Sequence, residues 1–278
     1  MLYAYPKLER TGLANMLFPW ARAEVFARDR RCGMLAPDWT HLARVGPWFR
    51  SERDKRYYLN CFTSTGYVRG LPRAWILATH HRVGEADAAG DDLLGRGTVV
   101  EFRGMDGLFK GLEHDSKWLR SRLERITHPR LKADLDSQWP VMPPFIAAHV
   151  RRGDFGPWTP GTTASNLMCV RLPLDWFAAA IHWARARHGE LPVIVFSDGR
   201  PDELDPLTRL PGVSLARHAP AIVHLLAISN ASCIITSASS FSMWAAYLSR
   251  GPAVWFPGVT PCPRLPDVQN HVSGFGIA

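Results

Sequence analysis

Between residues 145 and 256, short apolar runs alternate with segments of helical periodicity, and this alternation constrains the fold more than any other feature. FIAAHV (145–150), PVIVF (192–196), a run near Val213–Ala216, SCIIT (232–236) and AVWF (253–256) are apolar at consecutive positions rather than at every second one. Strands buried on both faces read this way, and they belong to parallel sheets. The segments between them read as helices. PLDWFAAAIHWARARHG (173–189) repeats Leu174, Phe177, Ala178, Ile181 and Ala184 at helical spacing, with Pro173 suited to its start and Gly189 to its stop. A short helix from Pro201, then PAIVHLLAISNA (220–231) and SFSMWAAYLSR (240–250), complete the series. The order predicts a doubly wound parallel α/β domain over 141–278.

The N-terminal half is less regular. LYAY (2–5), GMLAP (33–37), AWILAT (74–79) and TVVEF (98–102) predict strands. LANMLFPWARAEVFARD (13–29) predicts a helix that Pro19 kinks or shifts. SKWLRSRLERI (116–126) predicts an amphipathic helix. A second, looser α/β domain over 1–140 follows, with Pro129, Pro140, Pro143 and Pro144 marking a linker within 127–144.

Composition narrows the function. No apolar run approaches the roughly 20 residues that span a bilayer, and MLYAYPKLER has no apolar stretch after a basic start, so a cytoplasmic protein is expected. Five cysteines, an odd number with no CxxC pair, fit a reducing compartment and argue against a disulfide framework. Without HExxH or a comparable set, no metal site is expected. The net charge of +8 is uneven: residues 1–140 hold 23 basic and 17 acidic residues, and residues 141–278 hold 10 and 8. A solvated basic surface explains this, as would a polyanionic partner, an anionic membrane face or a phosphorylated substrate. No RNP-like or helix-turn-helix pattern is present, so nucleic acid is not the expected partner.

In open parallel sheets, ligands bind beyond the carboxyl ends of the strands. After 145–150 come Arg151, Arg152 and Asp154, with His149 inside the run. After 192–196 come Ser197, Asp198 and Gly199, and after 232–236 come Ser237, Ser239 and Ser240, leading into a helix. A hydroxyl-rich turn at a helix N-terminus favours an anion. Guanidinium groups at a neighbouring strand end add paired phosphate contacts. The set matches a nucleotide diphosphate. Asp134-Leu135-Asp136 has the spacing of a metal-binding DxD, but it follows a helical stretch and reads as a solvated face.

HVRRGD (149–154) resembles the HxRRxD signature of the α1,2-, α1,6- and protein O-fucosyltransferase superfamily. TGLANMLFPWA (11–21) resembles the GxGNQxFQYA opening of the α1,2-fucosyltransferases of glycosyltransferase family 11. VIVFSDG (193–199) resembles their VFSDD, and HLLAISNASCIITSASSFSMWAAYL (224–248) resembles their L-x-x-M-S-x-C-x-x-x-I-x-x-x-S-T-F-S-W-W-x-A-x-L. The departures are Ala14-Asn15 for the GN pair, Met16 for the following Gln, and Gly199 for the second Asp of SDD.

The resemblance implies a GT-B-like architecture of two Rossmann-like domains and inverting transfer of L-fucose from GDP-fucose, without metal or other cofactor. The acceptor would be a hydroxyl of a glycan or lipid-linked oligosaccharide, joined through an α1,2 linkage. Such an enzyme would work in the cytoplasm, at the inner face of a bacterial membrane. By resemblance, Arg151 clamps the diphosphate and Arg152 pairs either with it or with Asp154. His149 lines the nucleotide cleft, and Asp198 accepts from guanine or ribose. Ser239, Ser240 and Phe241 present backbone N–H groups to the phosphates, and Gly12 and Asn15 close over the donor. The base for the acceptor hydroxyl is one of Asp154, Glu101, Asp106 and Asp115. Two other classes fit the residues: a transferase of the same build with another nucleotide sugar, and a non-catalytic basic module for nucleic acid or polysaccharide.

Overall fold

The computed structural model describes residues 1–39, 58, 60–89, 97–138, 144–153, 155–159 and 170–259. These divide into two units, one up to Pro129 and one from Arg130.

The first unit runs β1 (Leu2–Pro6), α1 (Leu13–Asp29), β2 (Gly33–Met34), α2 (Gly70–Thr79), β3 (His81–Gly84), β4 (Thr98–Phe102) and α3 (Ser116–Ile126). Its four strands form a parallel sheet in the order β2-β1-β4-β3. Strand β4 is buried at every position, and its one charged residue, Glu101, is paired with Arg82 and Arg103. Helix α1 includes Pro19 and buries Leu13, Met16, Leu17 and Trp20. Helix α3 buries Leu119, Leu123 and Ile126, three positions on one helical face.

Two expectations change in this unit. Only Gly33–Met34 of GMLAP is strand. AWILAT is not a strand but the greater part of helix α2. A short apolar run has no period long enough to separate strand from helix. Pro72 falls in the helix's first turn, where no intrahelical N–H is needed. Of this helix only Ile76 is fully buried.

The second unit begins with α4 (Pro129–Gln138), so the expected linker is partly helix. Its first residue, Pro129, has a ring-fixed φ that suits a helix start. Asp134 and Asp136 lie exposed on this helix. The unit continues with β5 (Ile146–Val150), β6 (Gly156–Pro157), β7 (Val170–Arg171), α5 (Leu174–His188), β8 (Val193–Ser197) and α6 (Asp205–Thr208). It ends with β9 (Val213–Leu215), α7 (Ala221–Ser229), β10 (Cys233–Ile235), α8 (Ser240–Leu248) and β11 (Ala253–Val254). Strands β6 and β7 form a small parallel pair, and the other five form a parallel sheet in the order β11-β10-β5-β8-β9.

The centre of this sheet is dry: Ile146, Ala147, Ala148 and Val150 are 0% exposed. From β5 the chain builds outward through β8 to β9, then returns to the other side of β5 with β10 and β11. The direction reverses between β5 and β10. That is the switch point at which open α/β sheets take their ligands. No described helix is long and apolar enough to cross a membrane.

Candidate active site

The carboxyl ends of β5, β8 and β10 are laced together by serine hydroxyls. Ser237, just past β10, donates to the carbonyl of His149 at 2.7 Å and accepts the N–H of Arg151 at 2.9 Å. Ser197, the last residue of β8, donates to the carbonyl of Val150 at 2.5 Å and accepts the N–H of Gly199 at 3.0 Å. Ser242, in the first turn of α8, accepts the N–H of Ser237 at 2.9 Å and lies 2.7 Å from Nδ1 of His149. A hydroxyl that accepts one bond and donates another can bridge two chain segments with no added charge.

The register Val150↔Ser197 places Arg151 beside Asp198, each one residue past its strand. Nη1 of Arg151 lies 2.6 Å from Oδ2 of Asp198, and the two side chains are 24% and 16% exposed. The other oxygen, Oδ1, accepts the N–H of Arg152 at 2.8 Å. The Arg151 guanidinium also lies 5.2 Å from the ring centroid of Phe155. Asp198, expected to accept from guanine or ribose, holds the N–H of Arg152 with one oxygen and the Arg151 guanidinium with the other. A methyl group at Gly153 would collide with Oδ2 of Asp198, so this approach requires glycine.

Arg152 leads the other way. Its Nη1 donates to the carbonyl of Leu172 at 3.1 Å, while its Nε is buried without a hydrogen-bond partner among the described residues. Burial pulls its guanidinium below the usual arginine range, and Arg171 adds to that against the pull of Glu203 and Asp198. Arg171 donates to the carbonyls of Arg152 and Gly153, both at 2.8 Å. The two guanidinium groups therefore do not act as a joint clamp. Asp154, expected as a catalytic carboxylate and as Arg152's partner, lies outside the described residues.

His149 is fully enclosed, its ring centroid 4.9 Å from that of Phe241. Burial first, then Arg151 and His224, push its imidazole down to about 3, so it is neutral at ordinary pH. Ser239 caps α8 through its hydroxyl, which accepts the N–H of Ser242 at 3.2 Å. The N–H of Ser239 itself donates to the carbonyl of Ser237 at 2.8 Å, so it does not face outward as expected. An anion would meet the first turn of α8, at Ser240 and Phe241, where a helix provides no carbonyl of its own.

The structure thus gathers His149, Arg151, Asp198 and the Ser239–Phe241 turn at one sheet edge. Gly12 and Asn15 belong to the other unit, at the start of α1, where the N–H of Asn15 donates to the carbonyl of Gly12 at 3.0 Å. Among the base candidates, Glu101 is a buried residue rather than a surface one, and it is paired with Arg82 and Arg103. Asp115 is paired with Arg28. Asp106 is exposed in the loop after β4. Among the described residues, no group of three or more His, Cys, Asp or Glu is placed to hold a metal ion.

Residues 124–260 match the family model for glycosyl transferase family 11. This region is a family 11 glycosyltransferase. The match covers α4 through β11 and every residue gathered at the sheet edge. Comparison by sequence with curated proteins finds no match. By structure, the chain is similar to NodZ α1,6-fucosyltransferase soaked with GDP-fucose, with a TM-score of 0.55 and 16% identity over 89% of this chain and 92% of that one. A structure of fucosyltransferase NodZ from Bradyrhizobium gives the same TM-score and identity, with 89% and 93% covered. POFUT1 in complex with GDP gives 0.54 and 12% identity over 92% and 98%. The chain therefore shares a mixed α/β fold of parallel sheets with these fucosyltransferases.

Serine hydroxyls do more structural work at this edge than their place in the sequence suggests. Ser237 and Ser197 stood out as hydroxyls beside a ligand, yet they tie strands together, and Ser242 and Arg171 did not stand out at all. The strand register was the available signal for the Arg151–Asp198 pair: two parallel strands ending level bring the next residue of each together.

Proposed function

We propose that this glycosyltransferase moves L-fucose from GDP-fucose to a hydroxyl of a glycan or lipid-linked oligosaccharide. It would do so with inversion at the anomeric carbon, without a metal, and through a GT-B-like pair of Rossmann-like domains. The observation that carries the reading is Arg151, held by Asp198 at the switch point of the C-terminal sheet and beside the N-terminus of α8. The ligands of NodZ and POFUT1, GDP-fucose and GDP, support the donor. NodZ is an α1,6 enzyme; an α1,2 linkage here rests on the resemblance to family 11.

As GDP departs, charge builds on its β-phosphate and must be met by donors already in place. Arg151 supplies two parallel N–H bonds to that phosphate, and the first turn of α8 adds the positive end of a helix. Neutral His149 packs beneath without placing a second cation there. Gly12 and Asn15 bind the donor from the N-terminal domain. A carboxylate, Asp154 or Asp106, takes the proton of the acceptor hydroxyl as the sugar transfers.

Two measurements test this. GDP should raise the melting temperature more than UDP or CDP. Release of GDP from GDP-fucose with a glycan acceptor should continue in EDTA. Equal stabilisation by all three nucleotides would overturn the donor assignment, and loss of transfer in EDTA with recovery on adding manganese would overturn the arginine-based account of the phosphate site.

A further inference from the structure

Helix α2 presents an apolar stripe to the outside. Leu71 is 86% and Trp75 68% exposed, and Ala74 and Ala78 are exposed as well. Spacings of three, four and seven residues put these four on one helical face. The opposite face already satisfies the core, where Ile76 packs with Leu35 and Val99 and with partly buried Leu77, Val68, Tyr3 and Tyr5. Trp75 therefore does nothing for the fold of its own unit. A large aromatic and a leucine, adjacent and left in water, mark a surface that meets something.

The charge around the stripe says what. Residues 60–84 contain no Asp or Glu. Arg69 lies exposed just before the helix and His81 just after it, while Arg82 is taken up by Glu101 and the carbonyl of Leu77. The third arginine, Arg73, turns inward to the carbonyl of Ala36 at 2.8 Å and the hydroxyl of Tyr5 at 3.1 Å. An apolar stripe with tryptophan, bordered by Arg69 and His81 and with no acid from residue 60 to 84, suits the boundary between acyl chains and anionic headgroups. A second copy of the chain suits it less. A two-fold contact would set Arg69 and His81 of one copy against those of the other and oppose like charges.

We propose that α2 docks the protein on an anionic lipid surface, with Trp75 and Leu71 entering the interface and Arg69 and His81 lying at the headgroups. The proposal stands apart from the donor assignment, because lipid binding requires no transfer.

The test is flotation with vesicles of phosphatidylcholine mixed with phosphatidylglycerol, against pure phosphatidylcholine. The wild-type chain should float with the anionic vesicles and release as salt rises. The double variant Leu71→Ser/Trp75→Ser should partition about 10²-fold more weakly and keep its melting temperature, since both side chains are exposed. Arg69→Glu should weaken binding to the anionic vesicles alone. A wild-type chain that stays unbound, or a double variant that floats like wild type, overturns the proposal. So does a wild-type dimer that ignores vesicles and dissociates in the double variant, which would assign the stripe to self-association.

Discussion

The pairing of Arg151 with Asp198 makes a prediction that separates two roles for the carboxylate. Asp198→Asn keeps the shape of the side chain and an acceptor for the N–H of Arg152, and removes the charge opposite Arg151. The pair, 2.6 Å apart and mostly but not wholly buried, falls between exposed pairs, worth about 0–1 kcal/mol, and buried ones, whose rupture costs about 3–5 kcal/mol. A loss near 2 kcal/mol of orientation is expected, about 30-fold in turnover. The KM for GDP-fucose should stay level or fall, because the unpaired guanidinium still attracts phosphate. Arg151→Lys should cost about 3–4 kcal/mol, or 10²–10³-fold, since lysine cannot make two parallel bonds. If Asp198 acts only by holding Arg151, the double variant is no slower than Arg151→Lys alone, and the coupling energy is about 2 kcal/mol. The assay is GDP release from GDP-fucose, with the melting temperature of each variant beside it. Additive losses, about 10⁴-fold in the double variant, would refute the reasoning and return Asp198 to direct contact with the nucleotide.

Two further outcomes follow from buried polar groups. His149 binds no proton in the folded chain until about pH 3, whereas the unfolded chain binds one below about pH 6.5. Stability should therefore rise with pH across that window by about 1.4 kcal/mol per unit from this group, and urea unfolding of His149→Gln should show a shallower pH dependence than wild type; equal slopes would contradict the burial. In the first unit, Glu24 takes two bonds from Arg122, at 3.0 and 2.8 Å, and one from Tyr67, which in turn accepts from Trp20 at 3.0 Å. Glu24→Gln should cost about 3–5 kcal/mol, lowering the melting temperature by on the order of 10 °C, and a shift under about 2 °C would mean that Arg122 finds another partner.

The sequence was most legible where periodicity and caps agreed. SKWLRSRLERI reads as a helix because Leu119, Leu123 and Ile126 share one face, and its bounds are those of α3. The five strands of the C-terminal sheet read as strands because most of their positions are buried and apolar, whereas the two-residue strands β6 and β7 leave no apolar run to read. AWILAT failed for the converse reason: its apolar residues are divided between a buried face and an exposed one, so hydrophobicity no longer reported burial. At the site, the HVRRGD string singles out Arg151 by resemblance, yet it carries no sign that Arg152 leads away toward Leu172. Nor did it show that Asp198, in a segment more than forty residues on, would be its neighbour's anchor, since partners joined by sheet register share no local pattern.

The crowding at Gly153 bears on how much work remains when the donor arrives. A free arginine side chain carries roughly 2 kcal/mol of rotamer entropy, and a phosphate that had to collect such a side chain from solution would bind that much more weakly. Here the guanidinium is confined between Asp198 and Phe155, while Asp198 presses so closely on the chain at Gly153 that a single methyl group has no room. Folding has already met the ordering cost. Under the proposed function, the charge that meets the phosphate is thus a fixed part of the scaffold, and motion on donor binding would carry the loop at 151–153 and Asp198 together.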